Sequence, residues 1–179
     1  MFFNSRECEL GDVIHVAKAA GNFKTLLKIL SEVEVPGHRS MTLIDILKMP
    51  REMTIFAPTD EAFAKLPKGT LESWNEEQKL KIISRHFFFG VSTLASDVAT
   101  GPVKTYGNES IKLFNTDAEG AITQYNEFYD EEDWDEEEDG RWFKIDYKGN
   151  IISSVTTDIL AKNGVIHAMD KVILPLADE

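Results

Sequence analysis

The pattern of apolar residues changes near Val91, and this change limits the folds that are open to the chain. Before that point most apolar residues recur at helical spacing, as they do from Phe23 to Leu30. After it they fall in short apolar or alternating segments, bounded by glycine and asparagine, as is typical of strands. Helices followed by antiparallel strands predict an α+β fold.

Helices are predicted wherever a capping residue precedes an apolar periodic segment. Asp12 can cap a helix that Gly21 ends, Asn22 opens the next, and Thr59 can cap a third. The pair Asn75 and Gln78 forms a capping box. The predicted helices are those that follow Asp12 and Asn22, with a short one at Leu43–Leu47, then Asp60–Leu66 and Leu80–Phe89, which Gly90 ends.

Strands are predicted where β-branched and aromatic residues cluster. Thr54–Ala57 and Val165–Leu174 are apolar throughout most of their length and are expected to be buried in the core. The predicted strands are Met53–Ala57, Val103–Tyr106, Ile111–Phe114, Ala121–Tyr125, Trp142–Tyr147, Ile151–Thr157 and Val165–Leu174, with turns at Gly107-Asn108, Gly149-Asn150 and Asn163-Gly164.

Composition excludes several classes of function. The chain has 179 residues and a formal net charge of −12, which argues against nucleic acid as a partner because phosphate binding needs clustered lysine and arginine. Cys8 is the only cysteine, so an internal disulfide and a cysteine-based zinc site are excluded. We expect no transmembrane segment, and no export signal is visible in Met1–Leu10.

Three segments, in order, resemble the signatures of the fasciclin (FAS1) family. Thr54–Pro67 (TIFAPTDEAFAKLP) resembles the first signature, and Gly164–Pro175 (GVIHAMDKVILP) resembles the second. An Asp-Ile pair, Asp158-Ile159, precedes the second signature. Between them Leu80–Gly90 (LKIISRHFFFG) lies where the family carries a Tyr-His segment, and His86 is kept while Arg85 replaces the tyrosine.

The resemblance implies a FAS1 fold, in which helices pack against a β-sandwich wedge. It implies a monomeric, non-enzymatic adhesion or matrix-interaction module that lies outside the cell, in the periplasm or at the cell surface and binds a surface or matrix protein or a glycan. The interaction residues that it indicates are His86, Asp158 and Ile159. The expected domain spans residues 12–176, with an acidic insertion at about 127–146, an N-terminal extension at 1–11 and a tail at 177–179.

Structural roles compete with these functional ones. Asp158 can orient the Asn163-Gly164 turn while Ile159 packs inward, because short polar side chains near turns usually bond to the backbone. His167 lies in an apolar strand and is interpreted as a buried structural histidine. No nucleophile elbow, phosphate loop or dinucleotide-binding glycine pattern is present, so an enzyme of unrecognised type is the third hypothesis for the function.

The acidic insertion supports a second hypothesis, a cation-responsive binding module. The segment from Glu127 to Asp146 contains eleven acidic and only two basic residues, so it carries −9 of the net charge of −12. Such a run is usually a solvated loop. However, part of it matches the ligand spacing of a calcium loop, so Ca²⁺ is a possible cofactor. The predicted ligands are Asp135, Glu137, Asp139 and Asp146.

Overall fold

The computed structural model describes residues 11–38, 40–115, 143–147 and 150–174. In that part of the chain the α-helices are α1 (Val13–Ala20), α2 (Lys24–Glu32), α3 (Leu43–Leu47), α4 (Asp60–Ala64), α5 (Thr70–Ser73) and α6 (Glu76–Ile83). The strands are β1 (Met53–Pro58), β2 (Phe87–Phe89), β3 (Gly101–Lys104), β4 (Ser110–Asn115), β5 (Phe143–Tyr147), β6 (Asn150–Ala161) and β7 (Gly164–Met169).

The seven strands follow one hydrogen-bonded order, β2-β1-β7-β6-β5-β4-β3. β1 and β7 are parallel, and every other neighbouring pair is antiparallel. β6 links the two halves of the sheet, because residues 150–153 pair with β5 and residues 154–161 pair with β7. Two register shifts interrupt the second pairing, one between Ser154 and Thr156 and the other between Thr156 and Ile159.

Two apolar cores lie on the two faces of β1 and β7. On one face Ile55, Ala57 and Ile166 pack against the helices. On the other face Phe56 and Met169 pack against residues of β4, β5 and β6 in a second core, the sandwich core. The two halves of the sheet therefore face each other across the sandwich core, and the helices cover the outside of one half. This arrangement confirms the predicted α+β class and its β-sandwich with packed helices.

Three helix starts follow the predicted capping, but α2 does not, because its N-cap is Phe23 rather than Asn22 and no side chain of that cap bonds to the helix. Asp12 accepts a hydrogen bond from the His15 amide at 2.8 Å, and Gly21 ends α1 with φ of 79°. Thr59 caps α4 through the Ala62 amide. The Asn75 and Gln78 side chains form the predicted capping box at α6.

The helix predicted for Leu80–Phe89 is wrong in its second half. α6 ends at Ile83, a single 3-10 turn occupies Ser84–His86, and Phe87–Phe89 form strand β2. These three phenylalanines pair with Met53, Thr54 and Ile55 of β1. A run of apolar residues does not distinguish a helix end from a short strand, so tertiary pairing decided the outcome.

The strand predicted for Val165–Leu174 is right only in its first part. β7 is buried along its whole length but ends at Met169. Asp170 is the first residue beyond the strand. Its amide still donates to the Ser153 carbonyl at 3.0 Å, and its carboxylate accepts a hydrogen bond from the Ser153 amide at 2.8 Å. Val172 and Ile173 stay buried without being in a strand. The predicted strand Ala121–Tyr125 lies outside the described residues.

Within the described ranges, no helix combines the length and the apolar character that crossing a membrane requires.

Candidate functional site

Asp158 occupies an unusual position in β6. Its φ of 58° lies in the left-handed region, which few residues other than glycine adopt. It falls inside the second register shift of β6, where the strand bulges away from β7. Bulges redirect side chains, and they are over-represented at sheet edges and functional sites.

The Asp158 side chain binds a loop, not the Asn163-Gly164 turn that the sequence suggested. Its Oδ1 atom accepts a hydrogen bond of 2.7 Å from the amide of Ala95, the first residue of a 3-10 turn at Ala95–Asp97. The structural role expected for Asp158 therefore exists, but its partner is 63 residues earlier in the chain.

His167 is the buried structural histidine that the sequence predicts, with 0% of its surface exposed. Its Nε2 atom lies 2.8 Å from the Thr93 carbonyl, and its Nδ1 atom accepts a 3.2 Å hydrogen bond from the Asp158 amide. Because a carbonyl can only accept, the proton is on Nε2 and the ring is neutral. Burial lowers the pKa of His167, while the Thr93 hydrogen bond and the Asp158 charge act in the opposite direction.

Thr54 completes the contacts with the same loop. Its hydroxyl donates to the Val91 carbonyl at 2.9 Å and accepts from the Thr93 amide at 2.9 Å. Strands β1, β6 and β7 therefore each hold residues 91–95 through one polar side chain.

His86, predicted as an interaction residue, lies inside the core with 1% of its surface exposed. Its Nδ1 atom lies 2.9 Å from the Ile82 carbonyl, and its Nε2 atom accepts from the Ile173 amide at 3.0 Å. Burial lowers its pKa to about 4. A partner could reach this ring only if the core opened, so the geometry favours a structural role.

Arg85, which replaces the family tyrosine, makes a partly buried ion pair that the sequence did not reveal. Its Nε and Nη2 atoms lie 2.6 and 3.2 Å from the two carboxylate oxygens of Glu109. The Tyr147 hydroxyl donates to the same carboxylate. Hydrogen bonding to Arg85 holds the pKa of Glu109 below its usual range. The only sequence signal for this ion pair was the departure from the family pattern at Arg85.

The second half of β6 presents apolar side chains to solvent. Val155 is 46% exposed and Leu160 is 51% exposed, and Thr156 is also exposed. Ile159 is half-buried and packs against the helix-side core. We call Val155, Thr156 and Leu160 the bulge surface. It adjoins Asp158 and Ile159, the two residues that the sequence indicated.

The predicted calcium ligands are only partly described. Asp135, Glu137 and Asp139 lie outside the described residues. Asp146 is half-buried in β5, directly opposite Lys112 of β4. In the part of the chain that the structure describes, no group of three or more metal-ligating side chains converges. Calcium binding therefore stays a prediction.

Taken together, the geometry defines an α+β domain in which His86 and His167 are buried and bonded at both ring nitrogens, and in which β6 presents an exposed bulge. The family model for the fasciclin domain matches residues 21–175, and the chain belongs to that family.

Several proteins are similar to this chain in sequence. Protein sll1483 of Synechocystis is 29% identical over 167 residues, covering 91% of this chain and 73% of its own length. The uncharacterized protein sll1735 of the same organism is 28% identical, covering 91% and 97%. Fasciclin-like arabinogalactan protein 6 of Arabidopsis thaliana is 33% identical over 93 residues, covering 50% of this chain and 36% of that protein.

A solved structure shows the same fold. It is a FAS1 domain pair from the insect cell adhesion molecule fasciclin I, with a TM-score of 0.63 and 16% sequence identity. The match covers 93% of this chain and 51% of that domain pair. The predicted FAS1 fold is therefore confirmed.

Proposed function

We propose that this chain is a non-enzymatic adhesion module that binds a cell-surface or matrix protein, or a glycan, through the bulge surface. The observation that carries the proposal is the bulge itself. Asp158 is locked in a left-handed conformation by bonds to Ala95 and His167, while its neighbours Val155 and Leu160 remain 46% and 51% exposed. A rigid backbone with exposed apolar side chains binds a partner at a low entropic cost.

The family supports the adhesion part of the proposal. Fasciclin I, which shares the fold, is described as a cell adhesion molecule. An extracellular, periplasmic or cell-surface location follows from the same reasoning and is part of the proposal. A shared fold alone does not identify a ligand, so the site must be tested directly.

The histidine geometry supports a non-enzymatic role. General acid or base catalysis needs a ring nitrogen that can reach a substrate. Both nitrogens of His86 and both nitrogens of His167 are bonded to main-chain groups instead. The bonds of these two buried histidines therefore support a structural role for both.

The direct test is a binding assay on immobilised matrix proteins and on a glycan array, with Leu160→Asp and Val155→Asp as variants. We expect each variant to lose binding at least about tenfold, because a carboxylate would have to be desolvated in an apolar contact. Ala64→Asp is the matched control, since it adds the same charge at an exposed position of α4. Equal binding by all three variants would place the interaction elsewhere on the molecule.

A further inference from the structure

Residues 91–97, which we call the anchored loop, are held to the sheet by a small set of polar contacts. The Thr93 amide donates to Thr54 Oγ1, and the Ala95 amide donates to Asp158 Oδ1. The Thr93 carbonyl accepts from His167 Nε2. Ala95 is only 1% exposed and belongs to the sandwich core, together with Phe56. The anchored loop therefore covers part of that core.

His167 is the one titratable ring in this set of contacts. Its Nδ1 atom accepts a hydrogen bond from the Asp158 amide, and this bond holds the bulge. A proton added to Nδ1 would turn this acceptor into a donor that faces another donor. Protonation would therefore break the bond and place two N–H groups against each other.

Three elements place groups against the His167 ring, and these groups determine what protonation of the ring would disturb. β1 contributes Phe56, which stacks on the imidazole at 6.1 Å and carries no charge. The anchored loop contributes the neutral Thr93 carbonyl. β6 contributes the Asp158 carboxylate, which favours the charged ring electrostatically. Asp158 Oδ1 accepts from the Ala95 amide, so a charged His167 and the loop would draw on the same carboxylate.

We propose that protonation of His167 releases the anchored loop from the sheet while the rest of the fold stays intact. The loop is then an acid-sensitive element, and its opening exposes the sandwich core near Phe56. This inference does not depend on adhesion, because it concerns a change within the chain itself.

The linkage between proton binding and loop opening fixes the direction of the pH dependence. Burial lowers the pKa of His167 in the closed state, whereas an exposed histidine has its ordinary pKa of about 6.5. The open state therefore binds the proton more readily, and the opening equilibrium rises about tenfold for each pH unit below roughly 6.5. This slope continues until the closed-state ring itself becomes protonated.

Native-state hydrogen exchange followed by NMR tests the proposal on the intact chain. Protection factors, which remove the intrinsic pH dependence of exchange, are measured between about pH 7 and pH 5. We expect those of the Thr93, Ala95 and Asp158 amides to fall about tenfold per pH unit below roughly pH 6.5. The Leu27 amide, which donates to Phe23 within the start of α2, reports global opening. Its protection also falls in acid, because His86 takes up a proton when the whole chain unfolds. Loop amides whose opening free energy equals that of Leu27 at every pH would therefore overturn the proposal.

Two variants isolate His167. In His167→Gln an amide can still donate to Thr93 but cannot titrate, so the pH slope of the loop amides should vanish. In the control His86→Gln the slope should remain, and its loss would contradict the proposal. If His167→Gln does not fold, the ring resonances of His167 in the unaltered chain decide the matter. Loop protection that stays flat while those resonances titrate would overturn the proposal.

Discussion

Arg85 lies over the ring of Tyr147, with its Cζ atom 4.8 Å from the ring centroid, while both side chains bind the carboxylate of Glu109. The three residues come from the 3-10 turn after α6, the hairpin between β3 and β4, and β5. Arg85 is 5% exposed and Tyr147 is 2% exposed. The position that carries tyrosine in the family thus holds a cation that ties the end of α6 to the sheet.

Replacing Arg85 with methionine should destabilise the fold by about 2–3 kcal/mol, because the partly buried Glu109 carboxylate would lose its cation. Denaturant unfolding measures the loss. The double variant with Glu109→Gln should recover part of it, since no unpaired charge is then left behind. Additive losses in the double variant would show that the two side chains are not coupled.

Replacing Phe56 with alanine should cost about 3–5 kcal/mol, the usual range for deleting a buried aromatic ring. Phe56 is 0% exposed and packs between the two halves of the sheet, 5.8 Å from the ring of Phe88. Val155→Ala, at a position 46% exposed, is the control and should cost less than about 0.5 kcal/mol. A loss below roughly 1 kcal/mol for Phe56→Ala would contradict the burial of the ring, because relaxation of the core can remove only the cavity part of the cost.

Local signals predicted the elements that depend on neighbouring residues. The caps at Asp12, Thr59 and Asn75 each involve residues within three positions, and all three are present. The buried strands β1 and β7 follow from their continuous apolar character. Such features need no knowledge of the rest of the fold.

Contacts between distant residues could not be predicted in the same way. The Asp60 carboxylate accepts from the Lys24 and Thr25 amides, so α2 is capped from α4. The Asn163 side chain, interpreted only as a turn residue, binds the Val13 amide and the Leu47 and Met49 carbonyls. Each contact needs the tertiary arrangement, which a single sequence does not encode as a local pattern. The loop partner of Asp158 was missed for the same reason.

Acid should weaken the fold through His86. The pKa of the buried ring is about 4, against about 6.5 when it is exposed, so the unfolded chain binds the proton more readily between these values. Stability should therefore fall as the pH drops from roughly 6.5 to roughly 4, by about 3 kcal/mol, and then level off for this residue. His86→Gln should lower stability at neutral pH but remove this part of the pH dependence. Urea unfolding at a series of pH values measures both effects.

Calcium binding by the acidic insertion is the remaining prediction. The eleven acidic residues from Glu127 to Asp146 supply more carboxylates than a hard cation needs. Asp146 lies opposite Lys112 in the sheet, and a cation beside one ligand should weaken the site. We therefore expect a Kd of about 10⁻⁴–10⁻³ M, and a higher melting temperature with Ca²⁺ because bound cation reduces the repulsion.

Isothermal titration and thermal melts with Ca²⁺ and with Mg²⁺ test this prediction. The variant with Asp135→Asn, Asp139→Asn and Asp146→Asn removes three predicted ligands and should bind at least about tenfold more weakly, because carboxylates dominate calcium sites. The control variant with Asp130→Asn, Glu131→Gln and Asp133→Asn removes the same charge from the same insertion and should keep most of the affinity. Equal losses in the two variants, or equal effects of Ca²⁺ and Mg²⁺, would mean that the insertion attracts cations by charge alone and holds no defined calcium site.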